Sequence, residues 1–279
     1  MELGKIGVWT TFRRIPEEQA GAAAKLVEDL GYRAFWLGGS PRLPSVRALL
    51  DATTSLVIGT SIVNVWTYDP AELAAEYAEL ERDFPGRLLV GVGIGHPEAT
   101  GDYSKPLTAM RAFLDGLDGA ATPVPRERRA LAALAPKMLA LSAERSLGAL
   151  PYFVPVAHTQ VARAQLGAGV LLAPEVAVVV DGDAERARAA AREYAALYLG
   201  LVNYTNNLRT LGYTDEDIAA GGSDRLIDEV VPHGTAEELA RVVVDAHLEA
   251  GADHVVLQVA GEPGIPRQGW TALADAVLR

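Results

Sequence analysis

The chain of 279 residues has 25 lysines and arginines against 36 aspartates and glutamates, a formal net charge of −11, and no cysteine. The missing cysteine excludes thiol catalysis, thiolate zinc sites and disulfides. The acidic balance disfavours a protein that coats nucleic acid or an anionic membrane surface. The N-terminus has no basic segment followed by an apolar run, and no apolar run is long enough to span a bilayer, so we expect a cytoplasmic protein.

Short β-branched runs alternate with helical patterns in the first part of the chain, as is typical of parallel strands joined by crossover helices. The predicted strands cover residues 3–9, 34–37, 56–65 and 88–94. The predicted helices cover residues 16–30, 45–52 and 69–84. Asp69 followed by Pro70 is a favourable helix start, an acidic N-cap before proline at the first helical position.

The same alternation continues towards the C-terminus. Further strands are predicted at 130–134, 149–154, 175–180 and 254–259, and further helices at 106–117, 136–147, 157–166, 235–249 and 270–278. A helical insertion over about 183–230 follows the seventh strand, with segments at 183–199, 214–219 and 224–230. Eight strands in this order predict an α/β protein, a (β/α)8 TIM-type barrel forming a single domain over 1–279. A doubly wound open sheet is the alternative topology.

In such a barrel, functional residues collect at the carboxyl ends of the strands. The residues just beyond the predicted strand ends are Trp9, Ser40, Asn64, Trp66, His96, Lys137 and His158. His254 is at the start of the predicted strand 254–259, at the other end of the barrel, and is predicted to be structural. No nucleophile elbow, P-loop or zincin motif occurs, and the five histidines are scattered, so no metal site is predicted.

A glycine-rich run, Gly-Val-Gly-Ile-Gly at 91–95, is superficially similar to a dinucleotide fingerprint. It lacks the third glycine at the required spacing, and no helix follows it directly. We therefore interpret these glycines as residues that let a barrel strand pack closely against its neighbours.

Several stretches resemble the luciferase-like superfamily and, within it, the branch that depends on coenzyme F-420, a deazaflavin. They are Gly-Thr-Ser-Ile-Val-Asn at 59–64, Asp-Pro-Ala-Glu-Leu-Ala at 69–74, Pro-Gly-Arg-Leu-Leu-Val-Gly-Val-Gly at 85–93, and Ala-Gly-Ala-Asp-His-Val at 250–255. The resemblance runs in the same order over most of the chain. It implies the barrel fold, an oxidoreductase activity on a small-molecule substrate, and a homodimer.

The resemblance also implies where a cofactor would bind. A non-proline cis peptide is expected at Ser61–Ile62, where the main chain supports the back of the tricyclic ring. The segment 133–137 matches the position that holds the cofactor phosphate in relatives, although Leu-Ala replaces their Ser-Gly or Gly-Gly at 134–135. The cofactor contacts implied are Ser61, Ile62, Val63, Asn64, Gly95, His96, Ala133, Leu134, Ala135, Pro136 and Lys137.

The catalytic residues of relatives are not all present. Dehydrogenases of the family use a histidine after strand two and a glutamate after strand four, and Ser40 and His96 take those places here. His96 could donate a proton, because an imidazole titrates near neutral pH, or act as a neutral hydrogen-bond partner of the cofactor. The predicted substrate pocket comprises Trp9, Ser40, Trp66 and His158.

The predicted function is hydride transfer between a deazaflavin, coenzyme F-420, and a small organic substrate. Reduction of an activated double bond or imine is favoured over alcohol oxidation, because the expected acid–base pair is missing. Two alternatives remain open at this point. One is a two-component monooxygenase that uses FMN on the same scaffold, and the other is a flavin-binding barrel without catalytic activity.

Overall fold

Parallel strands form a closed barrel in the computed structural model, which describes residues 1–99 and 103–279. The strands in these ranges are β1 (Ile6–Thr11), β2 (Ala34–Gly38), β3 (Val57–Thr60), β4 (Val63–Asn64), β5 (Leu88–Gly93), β6 (Arg129–Leu131), β7 (Gly148–Ala149), β8 (Leu171–Leu172), β9 (Glu175–Val180), β10 (His233–Gly234) and β11 (Val255–Val259). Their order is β10-β9-β11-β1-β2-β3-β5-β6-β7-β8, with β4 also paired to β5. All of these pairings are parallel.

The ring closes because β8 and β9 are consecutive pieces of one barrel strand. β8 pairs with β7, and β9 pairs with β11. A parallel bridge between Tyr152 and Glu175 joins the chain after β7 directly to β9. With β3 and β4 also counted as one barrel strand, and with β10 pairing to β9 outside the ring, eight strands close the barrel. The predicted eight-stranded barrel is therefore confirmed, and the open sheet is excluded.

Two predicted strands differ most from the observed ones. The sixth was predicted over 149–154, but β7 ends at Ala149, because Pro151 has no N–H group to continue the ladder. Phe153 then has a φ of 53°, outside the extended region. The third was predicted as one run over 56–65, and it is divided into β3 and β4 at Ser61–Ile62.

Helices surround the barrel. They are α1 (Glu17–Asp29), α2 (Arg47–Asp51), α3 (Pro70–Asp83), α4 (Pro106–Asp118), α5 (Pro136–Arg145), α6 (Val156–Leu166), α7 (Ala184–Tyr198), α8 (Val202–Thr210), α9 (Asp215–Ile218), α10 (Asp224–Val230), α11 (Ala236–Leu239), α12 (Ala246–Glu249) and α13 (Arg267–Leu278), with a π-helical segment between α11 and α12. The Asp69 side chain caps α3, and Thr235 with Glu238 forms a capping box on α11. Within the described ranges, no helix has the length and apolar character needed to cross a bilayer.

Helices α7 to α10 form the helical insertion between β9 and β10. Helix α8 was not predicted, because its sequence contains three asparagines, which are weak helix formers. Tertiary packing stabilises it instead. Tyr204, Thr205 and Leu208 form its buried side.

Glycines on the strands make room for neighbouring backbone and aromatic rings. A Cβ on Gly59 would lie 2.3 Å from the Trp36 ring, and a Cβ on Gly91 would lie 2.0 Å from the Thr60 carbonyl oxygen. The Thr60 hydroxyl also bonds both the N–H and the carbonyl of Gly91, each at 2.9 Å. The interpretation of the 91–95 run as close strand packing is therefore confirmed at Gly91.

We expect Gly91→Ala to lower the free energy of unfolding by about 2–3 kcal/mol, because the added methyl group must displace backbone. Urea denaturation measures this change. The matched control is Gly182→Ala, where the new Cβ would meet only Thr235 Cγ2 at 3.8 Å, and where we expect a change within about 0.5 kcal/mol. Equal stability of the two variants would contradict the packing argument.

Candidate active site

A cavity of about 670 Å³ lies at the carboxyl ends of the barrel strands. Its volume is within the range of sites that enclose small molecules and cofactors. The wall is formed by Trp9 of β1, by residues that follow β3, β5, β6 and β7, and by side chains from α4, α5, α6 and α8 and the start of β9. The barrel therefore brings together segments that are distant in the sequence.

Most of the predicted site residues line this cavity. They are Trp9, Ser61, Ile62, Gly95, His96, Ala133, Leu134, Ala135, Pro136, Lys137 and His158. Ser40, Val63, Asn64 and Trp66 are not among the lining residues. Ser40 Oγ accepts a hydrogen bond from the Asn64 N–H at 3.0 Å, and Trp66 Nε1 donates to the Ile94 carbonyl at 2.7 Å. Val63 is buried in the core. These four residues support the wall, and direct ligand contact by them stays a prediction.

We call the part of the wall formed by Trp9, Ser61, Ile62 and Glu175 the floor. The Ser61–Ile62 peptide is cis, as predicted. Trp9 Nε1 donates to the Ser61 carbonyl at 3.2 Å, and Ser61 Oγ donates to Glu175 Oε2 at 3.1 Å. Gly93 leaves space for Ile62, since a Cβ there would lie 2.7 Å from Ile62 Cγ1. Residues of three different strands, β1, β5 and β9, thus contact Ser61 or Ile62.

Glu175 is the floor residue that was not predicted from the sequence. Only 3% of its surface is exposed, and its Oε1 atom has no hydrogen-bond partner among the described residues. Burial raises the pKa of the Glu175 carboxyl well above its ordinary value, and the hydrogen bond from Ser61 opposes this shift only in part. A signal was present in the sequence, because one glutamate opens the otherwise apolar run 175–180, where a strand buried on both faces is normally apolar throughout.

Aromatic residues form the wall next to Glu175. The hydroxyl groups of Tyr152 and Tyr194 are in contact, and Tyr194 donates to Gln258 Oε1 at 2.6 Å. Burial raises the pKa of Tyr152, Tyr194 and Tyr204 well above the ordinary value. All three phenols are therefore neutral at physiological pH, and this side of the cavity carries no charge.

A helix N-terminus and a lysine lie on another part of the wall. Helix α5 begins at Pro136, which has no N–H group, and Ala135 before it offers no side-chain cap. The Met138 N–H bonds the Ala135 carbonyl at 3.0 Å, so the backbone N–H of Lys137 is the group of the first turn that a ligand can use. Lys137 is exposed and is the one lysine or arginine among the described lining residues. This combination suits a phosphate group.

His96 lies on the wall near the start of α8. Burial lowers the pKa of its imidazole, and the nearby charge of Glu98 opposes the shift. The Asn203 amide nitrogen lies 3.4 Å from His96 Nδ1, and the Tyr204 ring centroid lies 4.8 Å from that of the imidazole. His96 is therefore mainly neutral at physiological pH, which fits a hydrogen-bonding role better than that of a cationic acid.

Two further features complete the wall. His158 Nε2 lies 3.0 Å from the Leu134 carbonyl oxygen, so the histidine holds the loop before α5, and burial lowers its pKa. Helix α8 turns polar side chains towards the cavity at helical spacing, and these are Asn203, Asn206, Asn207 and Thr210. They were missed because α8 was not predicted.

In the described part of the chain, no group of three or more histidine and acidic side chains could hold a metal ion.

The model of the luciferase-like monooxygenase family matches residues 4–254. The chain belongs to this family. A 5,10-methylenetetrahydromethanopterin reductase from Methanolobus tindarius is 29% identical over an alignment of 208 residues, which covers 61% of this chain and 64% of the reductase. The match therefore spans less than two thirds of that relative's length.

Solved structures with this luciferase-like fold include enzymes of two cofactor types. An F-420-dependent secondary alcohol dehydrogenase in complex with an F-420–acetone adduct has a TM-score of 0.76 and 16% identity, with 100% of this chain and 99% of that chain covered. The oxygenating constituent of 3,6-diketocamphane monooxygenase from Pseudomonas putida, in complex with FMN, has a TM-score of 0.69 and 13% identity, with 98% of this chain and 97% of that chain covered. At these identities the likeness shows the fold alone.

Proposed function

We propose that this luciferase-like protein transfers a hydride between a deazaflavin, coenzyme F-420, and a small organic substrate, reducing an activated double bond or imine rather than oxidising an alcohol. The observation that carries the proposal is one cavity that joins an uncharged floor to a helix N-terminus with a lysine. The F-420-dependent neighbour supports the same cofactor, and the reductase relative supports the direction of reduction.

The residues present fit this cofactor. The floor offers apolar and aromatic surface for a flat ring system, with Trp9 and Ile62 beside the Ser61 main chain. The N-terminus of α5 and the Lys137 ammonium group would hold the phosphate. When bound, a deazaflavin supplies or accepts the hydride at a ring carbon, and the protein supplies orientation and electrostatics.

The wall residues support reduction more than oxidation. Ser40 takes the position at which dehydrogenases of the family carry a histidine. Its hydroxyl oxygen lies behind the wall and accepts a hydrogen bond from the Asn64 N–H. It therefore offers no base to remove a proton from an alcohol. The neutral His96 and the tyrosines would exclude water and orient the substrate by hydrogen bonds.

Titration of the purified protein with deazaflavin and with FMN, followed by anaerobic assay of hydride transfer to a panel of imines and activated alkenes, tests the proposal. We expect deazaflavin to bind more tightly and its ring absorbance to change with substrate. A preference for FMN with oxygen consumption would contradict the proposal and favour the monooxygenase. Tight binding of either ring without turnover would instead favour a non-catalytic barrel.

Lys137→Ala should weaken binding of the phosphorylated deazaflavin about fivefold, because an exposed charge next to a helix N-terminus is partly screened by water. Fluorescence titration measures the dissociation constant. The same variant should bind the dephosphorylated deazaflavin riboside as the wild type does. Lys25→Ala on α1, where Lys25 pairs with Asp29, is the matched control and should change neither affinity. Equal losses for both ligands would show that Lys137 does not contact the phosphate.

A further inference from the structure

Asn203 on α8 contacts His96 across the boundary between the barrel and the helical insertion. The Asn203 Nδ2 atom donates to the Gly95 carbonyl oxygen at 3.3 Å and lies 3.4 Å from His96 Nδ1. The Tyr103 hydroxyl oxygen lies 3.5 Å from the same nitrogen. One amide nitrogen of the insertion therefore faces both the backbone and the ring of the segment that follows β5.

The Gly95 carbonyl decides which end of the Asn203 amide faces the histidine. A carbonyl oxygen can only accept, so the amide atom beside it is the nitrogen, and the same nitrogen faces His96 Nδ1. In a neutral imidazole, the ring nitrogen that faces a donor is the acceptor, and the other nitrogen carries the hydrogen. Asn203 thus selects the tautomer of His96 with its hydrogen on Nε2.

Two further contacts keep this pair together. Glu98 Oε1 accepts from the Val202 N–H at 2.9 Å, so the segment that carries His96 also caps the start of α8. The Tyr204 ring, one residue after Asn203, packs on the imidazole with centroids 4.8 Å apart. The orientation of the ring is therefore fixed by α8.

Nε2 is the ring nitrogen that α8 does not contact. His96 lines the cavity and is partly exposed, and none of the described residues bonds its Nε2 atom. An N–H group without a protein partner in the wall of a ligand-sized cavity is available to a ligand. His96 belongs neither to the floor nor to the start of α5, the two parts assigned to the cofactor, so the ligand that it can reach is the substrate.

We propose that His96 donates a hydrogen bond from Nε2 to the acceptor atom of the substrate during hydride transfer, and that Asn203 positions it. This inference rests on the proposed function and narrows the substrate to imines and to alkenes conjugated with a carbonyl group. The hydride from the reduced deazaflavin forms a C–H bond at the substrate carbon, and the π electron pair moves to the imine nitrogen or the carbonyl oxygen. The Nε2–H group stabilises the negative charge on that atom, which then takes a proton from water.

A neutral histidine suits this role. Its N–H group is a fixed dipole directed at the atom where charge develops, and it keeps its hydrogen throughout the step. The charge on the acceptor atom is largest in the transition state, so the hydrogen bond should raise kcat more than it strengthens substrate binding.

Two substitutions of His96 test the donor. Glutamine places an amide N–H near the position of Nε2, whereas asparagine reaches only the position of Nδ1. We expect His96→Gln to keep about a tenth or more of the wild-type kcat and His96→Asn to lose about 10²-fold, with deazaflavin affinity within about twofold of the wild type in both. Equal losses of kcat in the two variants, or a weaker deazaflavin complex in both, would overturn the assignment.

Asn203→Leu tests the positioning residue, because leucine has a similar shape but no donor. We expect kcat to fall by about tenfold, with little change in deazaflavin affinity, since the hydrogen is then divided between the two ring nitrogens. Gln19→Leu removes an amide from the exposed side of α1 and should leave every parameter unchanged. Wild-type turnover by Asn203→Leu would show that Asn203 does not act through His96.

A second readout needs no cofactor. Nitrogen NMR of the imidazole groups distinguishes a ring nitrogen that carries hydrogen from one that does not, and His96→Gln identifies the His96 signals by their loss. We expect hydrogen on Nε2 and none on Nδ1 in the wild type and in Gln19→Leu. Asn203→Asp should place hydrogen on Nδ1, because a carboxylate only accepts. Hydrogen on Nδ1 in the wild type would overturn the assignment while the proposed function stands.

Failure of the proposed function gives a different result. A wild-type protein that neither binds deazaflavin nor exchanges hydride with it would overturn the proposed function, and with it the contact between His96 and the substrate. The tautomer is measured in the protein alone, so the two failures are distinguishable.

Discussion

The titration of His254 alone should lower the free energy of unfolding by about 3 kcal/mol as the pH is lowered from about 6.5 to about 4. This histidine is fully buried below the barrel strands, where Trp36 Nε1 donates to its Nε2 at 3.1 Å. Its Nδ1 lies 2.9 Å from the Gly4 carbonyl oxygen and so carries the hydrogen. A second proton would have to be placed on Nε2, against the indole N–H.

The sign of the effect follows from the direction of the shift. Burial lowers the pKa of His254 to about 4, and the hydrogen bond to Gly4 opposes this only in part. A histidine whose pKa is lower in the folded state contributes stability above its unfolded pKa of about 6.5, and that contribution is lost as the pH falls towards the folded value. Each pH unit between these two pKa values changes the free energy of unfolding by about 1.4 kcal/mol.

Urea denaturation at a series of pH values measures the effect, with His254→Gln as the test variant. Glutamine can accept a hydrogen bond from Trp36 and donate one to the Gly4 carbonyl, but it does not titrate. The slope of the unfolding free energy against pH in the acid range should therefore be smaller in the variant than in the wild type, by up to about 1.4 kcal/mol per pH unit. His247, whose pKa burial also lowers to about 4, remains in the variant and keeps its own share of the slope. Identical slopes for the two proteins would contradict the argument.

The titration of Glu175 should change the free energy of unfolding in the opposite direction, so that stability falls as the pH rises. Burial raises its pKa in the folded state above the unfolded value of about 4.3. The contribution of Glu175 to the free energy of unfolding is complete below the unfolded pKa. It declines by up to about 1.4 kcal/mol per pH unit as the pH rises from the unfolded pKa to the folded pKa. We therefore expect Glu175→Gln to resist denaturation better than the wild type as the pH is raised above neutrality.

The surrounding groups do not obscure this slope. Burial raises the pKa of Tyr152, Tyr194, Tyr198 and Tyr204, so these phenols stay protonated throughout the window. Urea denaturation between pH about 5 and about 8 measures the effect, and Glu79→Gln on α3 should follow the wild-type curve. A Glu175→Gln curve parallel to that of the wild type would show that the carboxyl ionises in the folded protein.

The two slopes oppose each other and have one physical origin. His254 and Glu175 are both buried without a charged partner, so each is held in its uncharged form. His254 lies at the end of the barrel opposite the cavity, where the sequence predicted structural residues. His247 is likewise buried, with Nδ1 2.8 Å from Thr159 Oγ1, and burial lowers its pKa, so it too is neutral at physiological pH.

The sequence by itself determined the features that depend on residues close together in the chain. Alternating strand and helix patterns predicted parallel strands with crossover helices and favoured a barrel over an open sheet, and Asp69 marked one helix start through local capping. Four stretches in the same order along the chain indicated the family, and the stretch around Ser61 and the helix start at Pro136 indicated two parts of the cavity wall. Each of these signals is read from a few neighbouring residues, because hydrogen-bond patterns and caps are local.

Tertiary structure decided what depends on burial and on distant partners. Ser61 and Glu175 are 114 positions apart in the sequence, and only the closed ring of strands makes them a hydrogen-bonded pair. Helix α8 contributes asparagines to the cavity although its own sequence favours a helix weakly, because packing of Tyr204 and Leu208 stabilises it. The protonation state of a carboxyl follows from how much water and which charges surround it, and the folded chain alone sets both.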